Sequence, residues 1–254
     1  MNLKTSLKNP IFGIISEIAD ELNYPTFVVG GWVRDLLINR KQIKPDIDFV
    51  CVGSGITLAK KVGEKLGEKA NYKVFKNFGT AMINFEGETY EFVGARKESY
   101  RANSRKPIVE DGTLQDDQNR RDFTINALAI QLNKSDFGKL IDPFSGQKDL
   151  EKKIIRTPLN PEITYSDDPL RMMRAIRFAT QLDYIIEKKS YESIKQNAER
   201  LNIVSKERIT DEFNKIMLCR TPSIGINLLF ETGLLHQFFP EACNLQGIDI
   251  KNGH

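Results

Sequence analysis

The sequence predicts an α+β protein in which a mixed α/β head is followed by an all-α segment. Up to about residue 150, short stretches rich in strand formers alternate with stretches whose apolar residues have helical spacing. Beyond that point the strand signals stop, and the chain becomes a series of helix-like stretches separated by Pro or Gly. This change predicts two domains, a head over residues 1–150 and a helical domain over residues 151–254.

The head is expected to begin with an amphipathic helix. Its apolar residues have helical spacing, at Ile11, Ile14, Ile15, Ile18 and Leu22. The chain then predicts, in order, the strand TFVVGG, the helix WVRDLLINR, the strand DIDFVCVG, a Lys-rich helix around ITLAKKVGEKLGEKA, and the strands YKVFKNF, TAMINFEG and TYEFVGAR. Residues 97–119 are polar and irregular, which predicts a long loop, and RRDFTINALAI after them has helical spacing.

Composition narrows the class of protein. The 254 residues are 40% hydrophobic and 28% charged, with a net charge of +3, as in an ordinary soluble protein that could bind a polyanion. Three scattered cysteines and two isolated histidines argue against a zinc site or a Ser-His-Asp triad, so any metal must be held by carboxylates. The first helix does not resemble a signal peptide, and no apolar run has membrane length. We therefore expect a cytoplasmic protein.

The stretch KPDIDFV places two aspartates inside an otherwise apolar strand. Because side chains alternate along a strand, Asp46 and Asp48 must point to the same face. Two neighbouring carboxylates repel each other and raise a pKa unless a cation lies between them or water screens them. The alternative is a solvated strand edge, since a lone D-x-D is short and common.

A second candidate site precedes these aspartates, in VVGGWVRDLL. Gly30 and Gly31 allow the backbone to approach a ligand closely, while the following helix N-terminus and Arg34 favour phosphate. The alternative is a glycine turn with a surface arginine. Because D-x-D follows on the next predicted strand, the unit as a whole would place a triphosphate beside two metal-binding carboxylates.

This arrangement suits phosphoryl or nucleotidyl transfer. Such reactions use two Mg²⁺ ions about 3.5 to 4 Å apart, which activate the attacking hydroxyl and stabilise the leaving pyrophosphate. Carboxylate oxygens are the ligands that Mg²⁺ prefers, so Asp46 and Asp48 are the predicted metal ligands. A third carboxylate often joins from a neighbouring strand, and Glu91 is our candidate, with Glu86 and Glu88 as competitors. The alternative for all three is a solvent-facing strand residue.

The stretch RRDFTINALAI offers a third candidate site. Asp122 and Asn126 are four residues apart, on a different helical face from Phe123, Ala127 and Ile130. Asp122 could simply be an N-cap of the predicted helix. Alternatively, Asp122 and Asn126 would bind a ribose while Arg121 lies near the phosphates. Capping alone does not explain the two arginines that precede Asp122.

The fourth candidate site is DDPLRMMRAIRFATQL, which begins a helix at Asp168 and Pro169. Met172, Ala175, Ile176, Ala179 and Leu182 form an apolar stripe, so Arg171, Arg174 and Arg177 are expected on the opposite face. An aspartate beside an arginine can read a base edge, because the carboxylate accepts from an exocyclic amine while the guanidinium donates to a ring acceptor. Cytosine and adenine present such an amine, whereas uracil and guanine present a carbonyl. Asp168 and an arginine would therefore select CTP and ATP.

These stretches resemble the class II tRNA nucleotidyltransferase and bacterial poly(A) polymerase family, within the polymerase β-like superfamily. The resemblance covers nearly the whole chain and rests on GGWVRDLL, DIDFV, FGTA at 78–81, RRDFTINALA, DDPLRMMRAIRFA and ERITDEFNKI at 207–216. The chain has Asp167 where the family commonly has glutamate. The resemblance implies a polymerase β-like nucleotidyltransferase head and an all-α neck that binds the nucleotide base and RNA.

The resemblance also implies roles for particular residues. In the head they are metal binding by Asp46 and Asp48, and nucleotide contacts by Gly31, Arg34, Arg121 and Asp122. In the neck, Asp168 and Arg171 would form a protein template for C and A, supported by Arg174 and Arg177.

The activity implied by the resemblance is addition of CCA to the 3′ end of tRNA, from CTP and ATP, with Mg²⁺ and without a nucleic-acid template. A poly(A) polymerase, or a partial enzyme that adds only CC or only A, is the alternative among enzymes. A catalytically silent RNA-binding homologue is the alternative from another class, and the intact D-x-D argues against it. Because the chain ends soon after the neck-like helices, we expect the C-terminal body and tail of the family to be absent.

Overall fold

The structure is a computed structural model that describes residues 1–40, 46–76, 79–101, 104–245 and 247. Lys44 and Pro45 of KPDIDFV and Phe78 of FGTA lie outside the described residues. The chain divides into two compact units. Unit 1 comprises Met1–Ser99 and Pro107–Glu151, and unit 2 comprises Tyr100–Lys106 and Lys152–His254.

Up to Glu151 the chain alternates helices and strands. In order these are α1 (Pro10–Glu21), β1 (Thr26–Val29), α2 (Gly31–Leu37), β2 (Asp46–Cys51), α3 (Gly55–Leu66), β3 (Asn71–Phe75), β4 (Thr80–Phe85), β5 (Glu88–Gly94), β6 (Arg96–Arg101), β7 (Ser104–Asp111), α4 (Leu114–Asn119), β8 (Ala129–Gln131), β9 (Leu140–Ile141) and α5 (Gly146–Glu151). The predicted first helix, the two helices after it and all five predicted strands of the head are present.

The main sheet of unit 1 is mixed. Among the described residues it has seven strands, in the order β3-β4-β5-β2-β1-β8-β9. Strands β2 and β5 pair in parallel, whereas β1 pairs antiparallel with both β2 and β8. The sheet with its helices forms the predicted α/β head, so the predicted α+β fold class is confirmed.

Alternation along β2 gives its two faces different characters. Ile47 and Phe49 are buried on one face, where Phe49 stacks on Phe92 of β5 with ring centroids 5.0 Å apart. The other face has Val50 in an apolar cluster with Phe27, Val29, Ala95 and Ala129. Toward the start of β2 this second face becomes polar, because Asp48 and Asp46 lie two and four residues before Val50 and therefore on the same face.

Two predictions for the second half of the head are wrong. Residues 97–119, predicted as a loop, contain β6 and β7, which pair with each other, and the helix α4. The stretch has many charged residues and no clear apolar alternation, so its strands are not evident from the sequence. They form because β6 and β7 hydrogen-bond to each other. RRDFTINALAI, predicted as a helix, forms a 3-10 turn at Thr124–Asn126 and then β8. A short apolar run fits either structure by periodicity alone, and here pairing with β1 decides for a strand.

After Glu151 the chain is largely helical, as predicted. Its elements are β10 (Ile154–Ile155), α6 (Pro161–Asp167), α7 (Leu170–Leu182), β11 (Ile185–Ile186), α8 (Lys188–Asn197), α9 (Lys206–Met217), α10 (Pro222–Glu231), α11 (Leu234–Phe238) and α12 (Pro240–Cys243). The short strands β10 and β11 pair in parallel and were not predicted. Helix α7 packs against α9 and α10, and α6 packs against α8. Within the described ranges, no helix is long and apolar enough to cross a membrane.

Candidate active site

Three carboxylates lie on one face of the sheet of unit 1. Asp46 and Asp48 share a face of β2, as alternation requires. Asp48 is in register with Glu91 of the parallel neighbour β5, and register partners point to the same face. Asp46 and Glu91 are exposed, whereas Asp48 is partly buried. Glu88 is three residues before Glu91, so alternation along β5 places the two side chains on opposite faces. The carboxylate of Glu88 accepts hydrogen bonds from Asn9 and Tyr90.

The carboxylate of Asp48 is in an environment that disfavours its charge. Burial, followed by the charges of Glu91, Asp46 and Asp117, raises its pKa from 3.8 to about 6, although Arg121 acts in the opposite direction. Burial also raises the pKa of Glu91, and the charge of Asp46 adds to this effect. None of the described residues donates a hydrogen bond to the Asp48 carboxylate. The repulsion expected from the sequence is therefore present.

The chemistry of this donor set fits Mg²⁺. Carboxylate oxygens are suitable ligands, and a divalent cation beside Asp46 and Asp48 would stabilise the charges that burial disfavours. Over the described ranges, no group of three or more His, Cys, Asp and Glu side chains is arranged to hold a metal ion. Metal binding by Asp46 and Asp48, with Glu91 as a third carboxylate, therefore stays a prediction.

The glycine turn lies directly against Asp48. Gly30 has φ of 75°, a conformation that L residues rarely adopt, and it immediately precedes α2. A Cβ at Gly30 would be 3.1 Å from Nη1 of Arg121 and 3.3 Å from Oδ2 of Asp48. A side chain at this position would therefore displace Arg121 or Asp48. The turn, a carboxylate and a guanidinium meet at one point, as a triphosphate site beside a metal site requires.

Arg34 is buried next to this turn, so the alternative that it is a surface arginine is wrong. Its side chain is 5% exposed, and its Nε donates to Asp35 at 2.8 Å. Its Nη1 donates to Oδ1 of Asn126 at 2.8 Å. A Cβ at Gly31 would be 3.5 Å from Nη2 of Arg34, so the guanidinium lies next to the start of α2. Contact of Gly31 and Arg34 with a triphosphate stays a prediction.

Asp122 and Asn126 are brought together, although not by the predicted helix. Nδ2 of Asn126 donates to Oδ1 of Asp122 at 3.0 Å, and the same oxygen accepts from the backbone N–H of Phe123 at 2.8 Å. Both side chains belong to buried residues. Asn126 therefore connects Asp122 to Arg34, and through it to the glycine turn. Binding of a ribose by Asp122 and Asn126 stays a prediction.

Sequence reasoning missed Asp117. Its side chain is fully buried, and its carboxylate accepts from Nε of Arg121 at 2.9 Å and from Arg120. Burial would raise the pKa of Asp117, but the charges of Arg121 and Arg120 hold it below its ordinary value. The spacing of Asp117 from Arg120 and Arg121, at three and four residues, is a signal that could have identified it, had α4 been predicted.

In unit 2, Asp168 and Arg171 lie at the junction of α6 and α7. Oδ1 of Asp168 accepts from the backbone N–H of Leu170, the first residue of α7, at 3.3 Å, although the N-cap position itself is Pro169. The backbone N–H of Arg171 donates to the carbonyl of Asp168 at 3.0 Å, and Nη1 of Arg171 donates to the carbonyl of Thr164 at 3.4 Å. Both side chains are partly exposed. Base reading by Asp168 and Arg171 stays a prediction.

The expectation of an arginine face opposite the core of α7 is wrong at Arg177. This residue is buried, and its Nε donates to Glu212 of α9 at 2.5 Å while its guanidinium lies 3.9 Å from the ring centroid of Phe178. Arg174 is 4.0 Å from the same carboxylate. Burial would raise the pKa of Glu212, but Arg177 and Arg174 hold it below its ordinary value. The acid that the arginine run lacks comes from another helix, which spacing within α7 could not reveal.

Known proteins resemble the chain over both units. The model of the Poly A polymerase head domain matches residues 26–156, and a second family, described as a probable RNA and SrmB-binding site of polymerase A, matches residues 183–245. The chain is 36% identical over 231 residues to an A-adding tRNA nucleotidyltransferase of Geobacter sulfurreducens, covering 89% of this chain and 26% of that protein. It is 37% identical over 223 residues to a CCA-adding enzyme of Lactobacillus johnsonii, covering 87% and 53%.

A solved structure is similar as well. It is a tRNA nucleotidyltransferase complexed with a primer tRNA and an incoming ATP analogue, with a TM-score of 0.76 and 31% identity, covering 93% of this chain and 64% of that chain. The chain thus spans about half, or less, of the length of the two relatives it matches.

Proposed function

Because the chain belongs to the Poly A polymerase head domain family, we propose that it adds the CCA sequence to the 3′ end of tRNA, from CTP and ATP and without a nucleic-acid template. One observation carries this proposal. Asp48 lies against the Gly30 turn and Arg121, and Asp46 is on the same face of β2, so a triphosphate at the turn would have its reacting phosphate near two carboxylates. We also propose that the protein acts in the cytoplasm.

Asp46 and Asp48 would hold Mg²⁺, with Glu91 as the third carboxylate. When bound there, Mg²⁺ supplies activation of the tRNA 3′ hydroxyl and neutralises charge on the leaving pyrophosphate. Strand β2 would keep the carboxylates of Asp46 and Asp48 on one face, where both could bind the ion. Pairing of β2 with β5 places Glu91 level with Asp48 on that face.

The other residues of the head would bind the nucleotide. At the Gly30 turn, the absence of a side chain leaves room for phosphate oxygens, and Arg121 provides a positive charge at the same point. Arg34 would support the phosphates from the start of α2 and is held in place by Asp35 and Asn126. Asp122 and Asn126 would bind the ribose, since a carboxylate accepts hydrogen bonds from hydroxyl groups and a carboxamide both donates and accepts them.

Unit 2 would select the base and bind RNA. Asp168 would accept from the exocyclic amine of cytosine or adenine while Arg171 donates to a ring acceptor. Arg174 and Arg177 would support this reading by connecting α7 to α9 through Glu212. The tRNA contact is supported by the family match at residues 183–245 and by the primer tRNA in the similar structure.

A second candidate function is addition of A alone. It is favoured by the 36% identity to the A-adding tRNA nucleotidyltransferase of Geobacter sulfurreducens. An A-adding enzyme would use the same carboxylates and the same turn, and would differ in the acceptors and nucleotides that it accepts.

The test is incorporation of single labelled nucleotides into tRNA lacking CCA, tRNA ending in C and tRNA ending in CC. CCA addition predicts CMP incorporation into the first two acceptors and AMP incorporation into the third, with no UMP or GMP. AMP incorporation into the CC-ended tRNA alone would establish the A-adding function. AMP incorporation into any RNA would identify a poly(A) polymerase, and no incorporation would overturn the proposal in favour of a silent RNA-binding homologue. The double variant Asp46→Asn, Asp48→Asn is the control for contaminating activity.

A further inference from the structure

Asp117 is a fully buried carboxylate that no step of the proposed reaction uses. It lies on α4, which is only six residues long and has its own capping acid. Asp116 caps this helix, because its Oδ2 accepts from the backbone N–H of Thr113 at 2.9 Å in a capping box. Asp117 is therefore not needed to cap the helix, and its burial requires another explanation.

The partners of Asp117 are both arginines that precede Asp122. Oδ2 accepts from Nε of Arg121 at 2.9 Å, and Oδ1 accepts from Nη2 of Arg120. The side chains of Arg121 and Arg120 remain 17% and 20% exposed, whereas that of Asp117 is not exposed at all. Both arginines are thus bound to a buried carboxylate while part of each side chain remains exposed to solvent.

The position of Arg121 connects Asp117 to the active site. Nη1 of Arg121 donates to the carbonyl of Asn126 at 3.3 Å and would be 3.1 Å from a Cβ at Gly30. With Nε and Nη1 occupied, Nη2 of Arg121 has no hydrogen-bond acceptor among the described residues. Because a guanidinium is planar, hydrogen bonds from two of its nitrogens fix its orientation and therefore determine where Nη2 points.

Building on the proposed function, we propose that Asp117 is a positioning residue that holds the guanidinium of Arg121 at the Gly30 turn, where it binds the triphosphate of the incoming nucleotide. Arginine has a long side chain with many rotamers, so an unattached Arg121 would lose more conformational entropy when phosphate binds. It would also be free to turn toward the carboxylate of Asp48, whose charge it already influences. Asp117 prevents both, because it offers a closer and fully buried acceptor.

The test compares Asp117→Asn with Asp116→Asn, which removes a neighbouring carboxylate of the same helix without touching Arg121. Binding of ATP and of inorganic tripolyphosphate is measured by calorimetry, and folding by circular dichroism and urea unfolding. We expect Asp117→Asn to weaken the binding of both ligands about tenfold, as for the loss of one charge-assisted contact. Asp116→Asn should lower the unfolding midpoint slightly and bind both ligands like the unmodified protein.

A second measurement separates positioning from a general effect on the fold. If Asp117 acts through Arg121, then Asp117→Asn has no further effect on tripolyphosphate binding in a protein that already carries Arg121→Gln. Additive losses, or equal binding by Asp117→Asn and Asp116→Asn, would overturn the positioning role. If Asp117→Asn does not fold, Asp117→Glu takes its place, since it keeps the charge and displaces the carboxylate by one methylene.

These binding measurements do not depend on nucleotide transfer. If the unmodified protein binds tripolyphosphate more tightly than Asp117→Asn but incorporates no nucleotide, the positioning role stands and the proposed activity fails. If the protein transfers nucleotides and Asp117→Asn leaves the KM for ATP unchanged, the activity stands and the positioning role fails. A purely structural role would lower the active fraction, and hence the apparent kcat, without raising this KM.

Discussion

Asp48 of β2 and Glu91 of β5 are register partners across a parallel pair of strands, and both carboxylates point to the face of the sheet that carries Asp46. This relationship places three negative charges on one face at the point where the apolar cluster around Val50 ends. Burial of Asp48 makes the arrangement unfavourable in the absence of a cation, since its pKa rises to about 6. A cation beside these carboxylates would relieve this repulsion, which is why metal binding here is worth testing.

Replacing either aspartate by asparagine should abolish nucleotide incorporation. Asp46→Asn and Asp48→Asn each remove a charged ligand of the proposed metal site, and we expect a loss of at least about a hundredfold in kcat. Stability should not fall, because burial already disfavours the charge of Asp48. Incorporation assays and urea unfolding check both expectations. Retained activity would remove the metal assignment.

Glu91→Gln should reduce activity more than Glu86→Gln. Glu91 lies level with Asp48, whereas Glu86 is exposed in the turn between β4 and β5. If Glu91 is the third carboxylate, its loss should raise the Mg²⁺ concentration needed for half-maximal activity by roughly tenfold or more. A Mg²⁺ titration of both variants and the unmodified protein measures this effect. Equal behaviour of the two variants would exclude Glu91.

Asp48 should make the protein less stable as the pH rises from about 4 to 6. Its folded pKa of about 6 lies above its ordinary value of 3.8, so in this range the folded state binds more protons than the unfolded state. Stability contributed by the protonated form is present below about pH 4 and lost as the pH rises through 6. At about 1.4 kcal/mol per pKa unit, the resulting change in the free energy of unfolding is at most about 3 kcal/mol.

Urea unfolding in EDTA across this pH range, with Asp48→Asn as the reference, isolates the contribution of Asp48. The difference in unfolding free energy between the two proteins should change between pH 4 and 6 and be constant above it. Added Mg²⁺ should reduce the difference at pH 7, where Asp48 is ionised. A difference that is independent of pH would show that Asp48 is not perturbed.

Asp168→Ala combined with Arg171→Ala should weaken discrimination against UTP and GTP. A base edge read by a carboxylate and a guanidinium contributes about 1 to 3 kcal/mol, which is roughly a 5- to 150-fold preference. Competition between CTP and UTP, and between ATP and GTP, measures the change. Arg208→Ala is a suitable control, because Arg208 is an exposed arginine of α9. Unchanged selectivity in the double variant would exclude base reading by this pair.

Glu212→Gln should destabilise the protein strongly. Glu212 is 3% exposed and accepts from Arg177, so its loss leaves the charge of a buried arginine without its carboxylate. Such changes cost about 3 to 5 kcal/mol. Urea unfolding measures the cost, and Glu207→Gln, at an exposed position in the first turn of α9, should cost less than about 1 kcal/mol. Similar losses in the two variants would contradict the burial of this ion pair.

The candidate site was partly accessible from local sequence. Two-residue alternation is sufficient to place Asp46 and Asp48 on one face, and phase along β5 favours Glu91 over Glu88. Sequence also indicates the glycine turn, because the two glycines stand between an apolar strand and a helix. It does not indicate that Arg121 lies against Gly30 and Asp48, since Arg121 is about 70 to 90 residues further along the chain than either.

The sequence by itself determined the class of the fold, the main strands and helices of the head, and the aspartate pair, because these depend on periodicity over a few residues. Only the tertiary structure decided that the stretch after Phe123 ends in a strand, since the partner β1 supplies its hydrogen bonds from a distant part of the chain. The same holds for Arg177 with Glu212 and for Arg121 with Asp117. A buried charge needs an opposite charge in contact with it, and the fold determines which residue provides it.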